Sequence, residues 1–111
     1  MKIIAPLLVL SLCAIGNSSA AADEGGEAIQ AMGRLNGIAL ACQQPALVSR
    51  ARNAVITTAP KTRGNGEVFE TATNAAFLEQ GKSGNCPDAA SLSKEIATVE
   101  KRLQESFAAP R

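Results

Sequence analysis

Residues 87–107 read PDAASLSKEIATVEKRLQESF. Leu92, Ile96, Val99, Leu103 and Phe107 recur at steps of four, three, four and four, the spacing of one face of an α-helix. Lys94, Glu95, Glu100, Lys101, Arg102 and Glu105 cover most of the remaining surface, so the segment has one apolar and one solvated side. Pro87-Asp88 starts it. A helix of this kind must bury its stripe against something else, and the rest of the chain offers more helices.

Moving toward the N-terminus, Glu67–Gln80 shows the same periodicity. Phe69, Ala72, Ala76 and either Thr73 or Phe77 face inward. Glu67 and Glu70 lie in the expected first turn, where they complement the helix dipole. Gly81 suits a C-terminal cap, and Lys82–Asn85 then forms a loop leading to Cys86. Before this helix, Pro60-Lys61-Thr62-Arg63-Gly64-Asn65-Gly66 breaks the periodicity with turn formers and reads as a loop. A further helix over Ala46–Thr58 carries Leu47, Ala51, Ala54 and Val55. Pro45 suits its first position, and Pro60 makes Ala59 its natural stop.

The remaining segment, Glu24–Gln43, carries two stripes. Ala28, Met32, Leu35, Ala39 and Cys42 form an apolar one; Gly33, Gly37 and Ala41 form one of small residues. Each glycine costs about 1 kcal/mol inside a helix, so the pair predicts close approach of another backbone. A neighbouring helix of the same chain is the expected occupant, with a homodimer seam through the Gly33/Gly37 face as the alternative. No segment alternates with period two for long. The expected fold is all-α: a small four-helix bundle running up, down, up, down.

The first 22 residues read differently. Lys2 is a minimal positive start, Ile3 to Ile15 is an apolar run, and Asn17–Ala22 is rich in small residues. This is the pattern of a cleavable secretory signal peptide, with cleavage expected before Asp23. The run is too short for a membrane-spanning helix, which needs about 20 apolar residues. Leu12 before Cys13 argues against a lipoprotein signal. Residues 23–111 then form a single domain, exported to the periplasm or beyond, without a stable membrane anchor.

Processing removes Lys2 from eleven Lys and Arg against ten Asp and Glu, leaving the charges even. That balance argues against nucleic acid or an acidic membrane surface as the main partner. It also removes Cys13 from three cysteines, and the even pair Cys42 and Cys86 reads as a disulfide in an oxidising compartment. The alternating helix order places both at one end of the bundle, as a bond requires. A loop of this length stabilises a fold by about 4 kcal/mol in the chain-entropy model. That matters in a small domain with no Trp or Tyr.

The sequence is poor in chemistry. It contains no histidine, which removes Ser-His and Cys-His nucleophiles and imidazole-bound zinc. Neither Cys42 nor Cys86 belongs to a C-x-x-C pair, against a thioredoxin-like role. No catalytic residue, metal site or cofactor is expected, and the chain reads as non-enzymatic. The best candidate for a binding site is the Lys61–Gly66 loop, where Lys61, Arg63 and Asn65 stand among glycines before a helix N-terminus. Such a segment suits an acidic partner surface or an anion; an exposed, solubilising turn is the plainer reading.

The leading functional expectation is an accessory or binding factor acting on another envelope protein, such as an inhibitor, an immunity protein or a secretion-system component. In build alone (short, helical, exported, with one long-loop disulfide) the chain resembles the small periplasmic acid-stress chaperones. That resemblance implies a client-holding role as a second expectation. A small-ligand carrier comes third, because the Ala-rich helices favour tight packing over a cavity.

Overall fold

The computed structural model describes residues 20–108, so most of the expected signal peptide lies outside the described residues. Four helices follow in order: α1 (Ala20–Ala41), α2 (Pro45–Thr58), α3 (Arg63–Ser83) and α4 (Ala89–Ser106). Short turns join them, and no strand occurs among the described residues. The fold is the all-α, four-helix arrangement expected.

Local chemistry sets each boundary. α1 stops at a Schellman turn in which Gln43 takes a left-handed φ of 58°. Gln44 N–H donates to Ala39 O at 2.9 Å and Gln43 N–H to Leu40 O at 3.2 Å, satisfying carbonyls the helix would leave free. Pro45 opens α2, and Ala59, extended before Pro60, closes it. Asp88 caps α4, its carboxylate accepting from Ser91 N–H at 2.9 Å. Hydrogen bonds from the Ser91 side chain and backbone hold that exposed carboxyl below its usual range.

α3 departs from expectation at both ends. It begins at Arg63, so Arg63–Gly66 form its first turn instead of a loop, and Glu67 and Glu70 fall beyond that turn. Thr62 is the N-cap, its hydroxyl accepting from Asn65 N–H at 3.1 Å. The helix runs through Gly81 and ends at Gly84, which adopts the left-handed φ of 72°. Of the two inward candidates, Thr73 is the buried one at 4% exposure, while Phe77 is 46% exposed.

Directions alternate as expected. Phe107, past the end of α4, lies against Gly25 near the start of α1. At the opposite end, Cys42 is bonded to Cys86 with Cα atoms 5.8 Å apart. α1 and α4 are therefore antiparallel. α1 and α3 run parallel, since Gly33 faces Phe69 and Ala72 while Gly37 faces Thr73, Ala76 and Phe77.

The core is centred on the seam of α1 and α4. Ala28, Ile29, Met32, Leu35 and Ala39 meet Leu92, Ile96, Val99 and Leu103, with Ala51 closing from α2. Arg50 ties α2 to α4: its Nε and Nη2 donate to the two carboxylate oxygens of Glu100, and Nη1 donates to Ser93 Oγ, each at 2.9 Å. The hydrogen bonding to Glu100 raises the guanidinium pKa above its ordinary value, against a smaller opposing effect of burial.

α3 adds Phe69 to this core, but its backbone sits apart from α2 and α4. It packs on α1, and no Cα of α3 comes within 8 Å of one in α2 or α4. A Cβ on Gly33 would lie 2.6 Å from Phe69 O, and one on Gly37 would lie 2.8 Å from Ala76 Cβ. The Gly33/Gly37 face is thus covered by α3 of the same chain. That is the occupant expected first, and both glycines are buried beneath it.

One polar pair marks this seam. Asn36, fully buried, donates from Nδ2 to Thr73 Oγ1 at 3.2 Å. Thr73 Oγ1 in turn donates to Gly33 O at 3.2 Å. Asn36 Oδ1 has no protein partner.

Candidate functional site

Because α2 and α3 both lean on α1 and no Cα of one comes within 8 Å of the other, a cleft opens between them. Its volume is about 370 Å³, and the Pro60–Thr62 connection closes one end. Phe69 and Ala59, 6% and 7% exposed, form the buried part of its lining. Val55 lines it from α2, and Ile56 beside it is 51% exposed. An apolar lining between helices with a few polar groups around it is the usual form of a binding cleft.

Charge surrounds this lining. Arg52 and Lys61 line the cleft, and Glu70 is the acidic group among the lining residues. The Arg52 guanidinium carbon stands 5.8 Å from the centre of the Phe69 ring. Arg52 also pairs with Glu70, but at 3.8 Å and between side chains 46% and 58% exposed. Exposed pairs of this kind contribute about 1 kcal/mol or less.

Of the residues singled out in the sequence, Lys61 lines the cleft and is exposed. Arg63 is exposed on the first turn of α3. Asn65 lines the cleft but its donors serve the fold: the N–H goes to Thr62 Oγ1, and Nδ2 donates to Pro60 O at 2.8 Å. The backbone N–H and one of the two Nδ2 hydrogens are therefore committed. What the segment presents outward is side-chain charge beside an apolar surface. Cys42 and Cys86 meet as expected at the far end of the molecule.

Arg52, Val55, Ile56 and Phe69 escaped the sequence reading as site residues. Phe69 was legible only as a core position and Val55 only as part of an apolar helix face, while Arg52 and Ile56 carried no signal of their own. A helical-wheel comparison of α2 and α3 would have shown Phe69 and Arg52 beside apolar neighbours. Nothing in it says that α2 and α3 stand apart.

Elsewhere, α3 leaves Leu78 64% and Phe77 46% exposed, with Leu40 of α1 at 41%. Among the described residues, no group of three or more His, Cys, Asp or Glu could hold a metal ion. No helix among them is long and apolar enough to cross a membrane. No protein-family model, curated protein or solved structure matches the chain.

Proposed function

We propose that the chain is an exported, periplasmic, non-enzymatic binding protein that docks an envelope partner through Lys61, Arg63 and the surface beside them. The observation that carries this reading is the open apolar cleft between α2 and α3 with Lys61 among its lining residues. The signal-like start supports export, and the bonded cysteine pair fits an oxidising compartment. Inhibitors, immunity proteins and secretion-system components all work by such docking.

The test is cross-linking and affinity capture from the envelope fraction with the processed protein, run beside a variant carrying Lys61→Ala and Arg63→Ala. A specific partner captured by the first and lost by the second is expected. Capture that does not change between them sinks the docking role of these cations.

The exposed apolar side chains of α3, Phe77 and Leu78, favour a second reading as a stress chaperone. Its expected signature is suppression of aggregation of an acid-sensitive model client at low pH. Aggregation proceeding at the same rate with and without the protein would remove it.

A further inference from the structure

Given that protein-binding reading, on which this rests, we infer that the α2–α3 cleft is a socket for an acidic segment of the partner. The segment inserts an apolar side chain between Val55 and Phe69 and lays an adjacent carboxylate against Arg52 and Lys61. A flat acidic surface meeting Lys61 and Arg63 alone would leave the cleft unused.

The cleft is built into the fold. Helices that pack directly bring their axes to 8–10 Å and interdigitate their side chains, whereas α2 and α3 have no Cα pair within 8 Å. Both are held by α1 instead, so the space between them does not depend on either helix moving. Its volume of about 370 Å³ accepts a large apolar side chain. Val55, Ala59 and Phe69 supply apolar contact there, and half-exposed Ile56 extends that surface beside the opening.

Charge selects the sign of what accompanies that side chain. Arg52 and Lys61 outnumber Glu70 among the charged lining residues, and exposed Arg63 adds to the positive side next to Thr62. The Arg52–Glu70 contact is long and solvated, so an incoming carboxylate displaces Glu70 at little cost. Arg52 lies over the Phe69 ring, which sets the cation directly beside the apolar lining. The ligand therefore needs a carboxylate next to an apolar group. Asn65 N–H and one of its two Nδ2 hydrogens are already bonded within the chain, and the proposed recognition uses side-chain cations and apolar contact.

The shape of the cleft selects a peptide over a free organic acid. Small-molecule sites bury most of their ligand, about 70–90% of its surface. This trough is open to solvent, and half-exposed Ile56 continues the apolar surface outward. A free acid would sit largely in water there, whereas a chain carrying the apolar anchor continues across Ile56.

The test uses the processed protein and short fluorescent peptides in which one phenylalanine is flanked by two glutamates in a Gly/Ser background. Control peptides replace the glutamates by lysines or the phenylalanine by serine, and decanoate serves as a free-acid competitor. Binding of the acidic apolar peptide is expected, with amide shifts at Val55, Ile56 and Phe69. Arg52→Glu with Lys61→Glu should weaken it about tenfold or more. Ile56→Asp should do the same, and both variants change exposed positions and should keep the parent circular dichroism.

Equal binding of the serine control, or shifts confined to other faces, overturns the socket. So does decanoate binding as tightly as the peptide, or self-association of the protein that buries the cleft. If no peptide binds while envelope capture still depends on Lys61 and Arg63, the socket falls and the protein-binding reading stands. Loss of that capture dependence removes the reading itself.

Discussion

Replacing Gly37 by alanine puts a methyl group where α3 already lies. The new Cβ would clash with Thr73 O and fall 2.8 Å from both Ala76 Cβ and Phe77 N. These are backbone or Cβ atoms, so no side-chain rotation relieves the clash and α3 itself must shift. Overpacking of this kind costs about 1–3 kcal/mol, against a gain of about 1 kcal/mol from replacing a helical glycine. The shift also strains the Asn36–Thr73 hydrogen bond, already 3.2 Å long. A net loss of up to about 2 kcal/mol follows, or up to about 15 °C in Tm for a domain of this size. The matched control is Gly81→Ala, also inside α3, where a Cβ meets nothing within 4 Å. It should raise stability by up to about 1 kcal/mol. Thermal and urea unfolding of both variants, followed by far-UV circular dichroism with the disulfide intact, gives the comparison. If Gly37→Ala raises Tm as Gly81→Ala does, the close α1–α3 seam is wrong.

Removing the Cys42–Cys86 bond, by Cys42→Ser with Cys86→Ser, should cost about 4 kcal/mol in urea unfolding; a loss near zero would mean the unfolded chain gains no freedom from losing the bond. Asn36→Leu removes the unpartnered Oδ1 together with one hydrogen bond and should lie within about 1 kcal/mol of the parent, whereas a loss above about 3 kcal/mol would show that the amide makes bonds beyond the one to Thr73. Asp88 gives a pH signature: its folded pKa is lowered, so its contribution is fully present above the ordinary carboxylate value of about 4 and is lost as pH falls through the lowered one. Asp88→Asn, which keeps an oxygen for the cap but does not titrate, should therefore lose less stability than the parent below about pH 4 in acid unfolding; parallel curves would contradict the assignment.

α4 was legible because its stripe coincides with its packing positions: Leu92, Ile96, Val99 and Leu103 are all buried, and Phe107, just past the helix, packs partly buried against the core. The start of α3 was not, because Gly64, Asn65 and Gly66 are turn formers by local preference. Burial of Phe69 and Ala72 one and two turns later, with the Thr62 cap, outweighs that preference. The end of α3 posed a choice between two glycines, and only the one at φ 72°, Gly84, acts as the cap. The end of α1 gave no such sign, since its left-handed residue is Gln43. Thr73 is buried over Phe77 because its hydroxyl finds Gly33 O and Asn36 across the seam. Lys61 and Arg63 could be read along the chain, but Arg52 and the apolar lining could not. Val55 and Phe69 are brought to one cleft only by the angular setting of two helices about a third.

That setting traces back to the two stripes of α1. An ordinary amphipathic helix has one buried face and packs into one core. α1 has two, and they differ in what they can meet. The stripe of Ala28, Met32, Leu35 and Ala39 carries the larger side chains and meets α4, with α2 closing over it. The glycine stripe accepts only a backbone at close range, and α3 fills it. The two stripes lie on different faces, so the α3 backbone packs on a side of α1 that α2 and α4 leave free, while its Phe69 still reaches the core. Pulling α3 tightly onto α1 also keeps its backbone beyond 8 Å of α2, which leaves Val55 at the edge of the core and Ile56 half exposed beside it. The glycines that hold the fold together are therefore also what opens the cleft. A larger residue at Gly33 or Gly37 should disturb binding at a site it does not touch, whereas alanine at Gly81 should not.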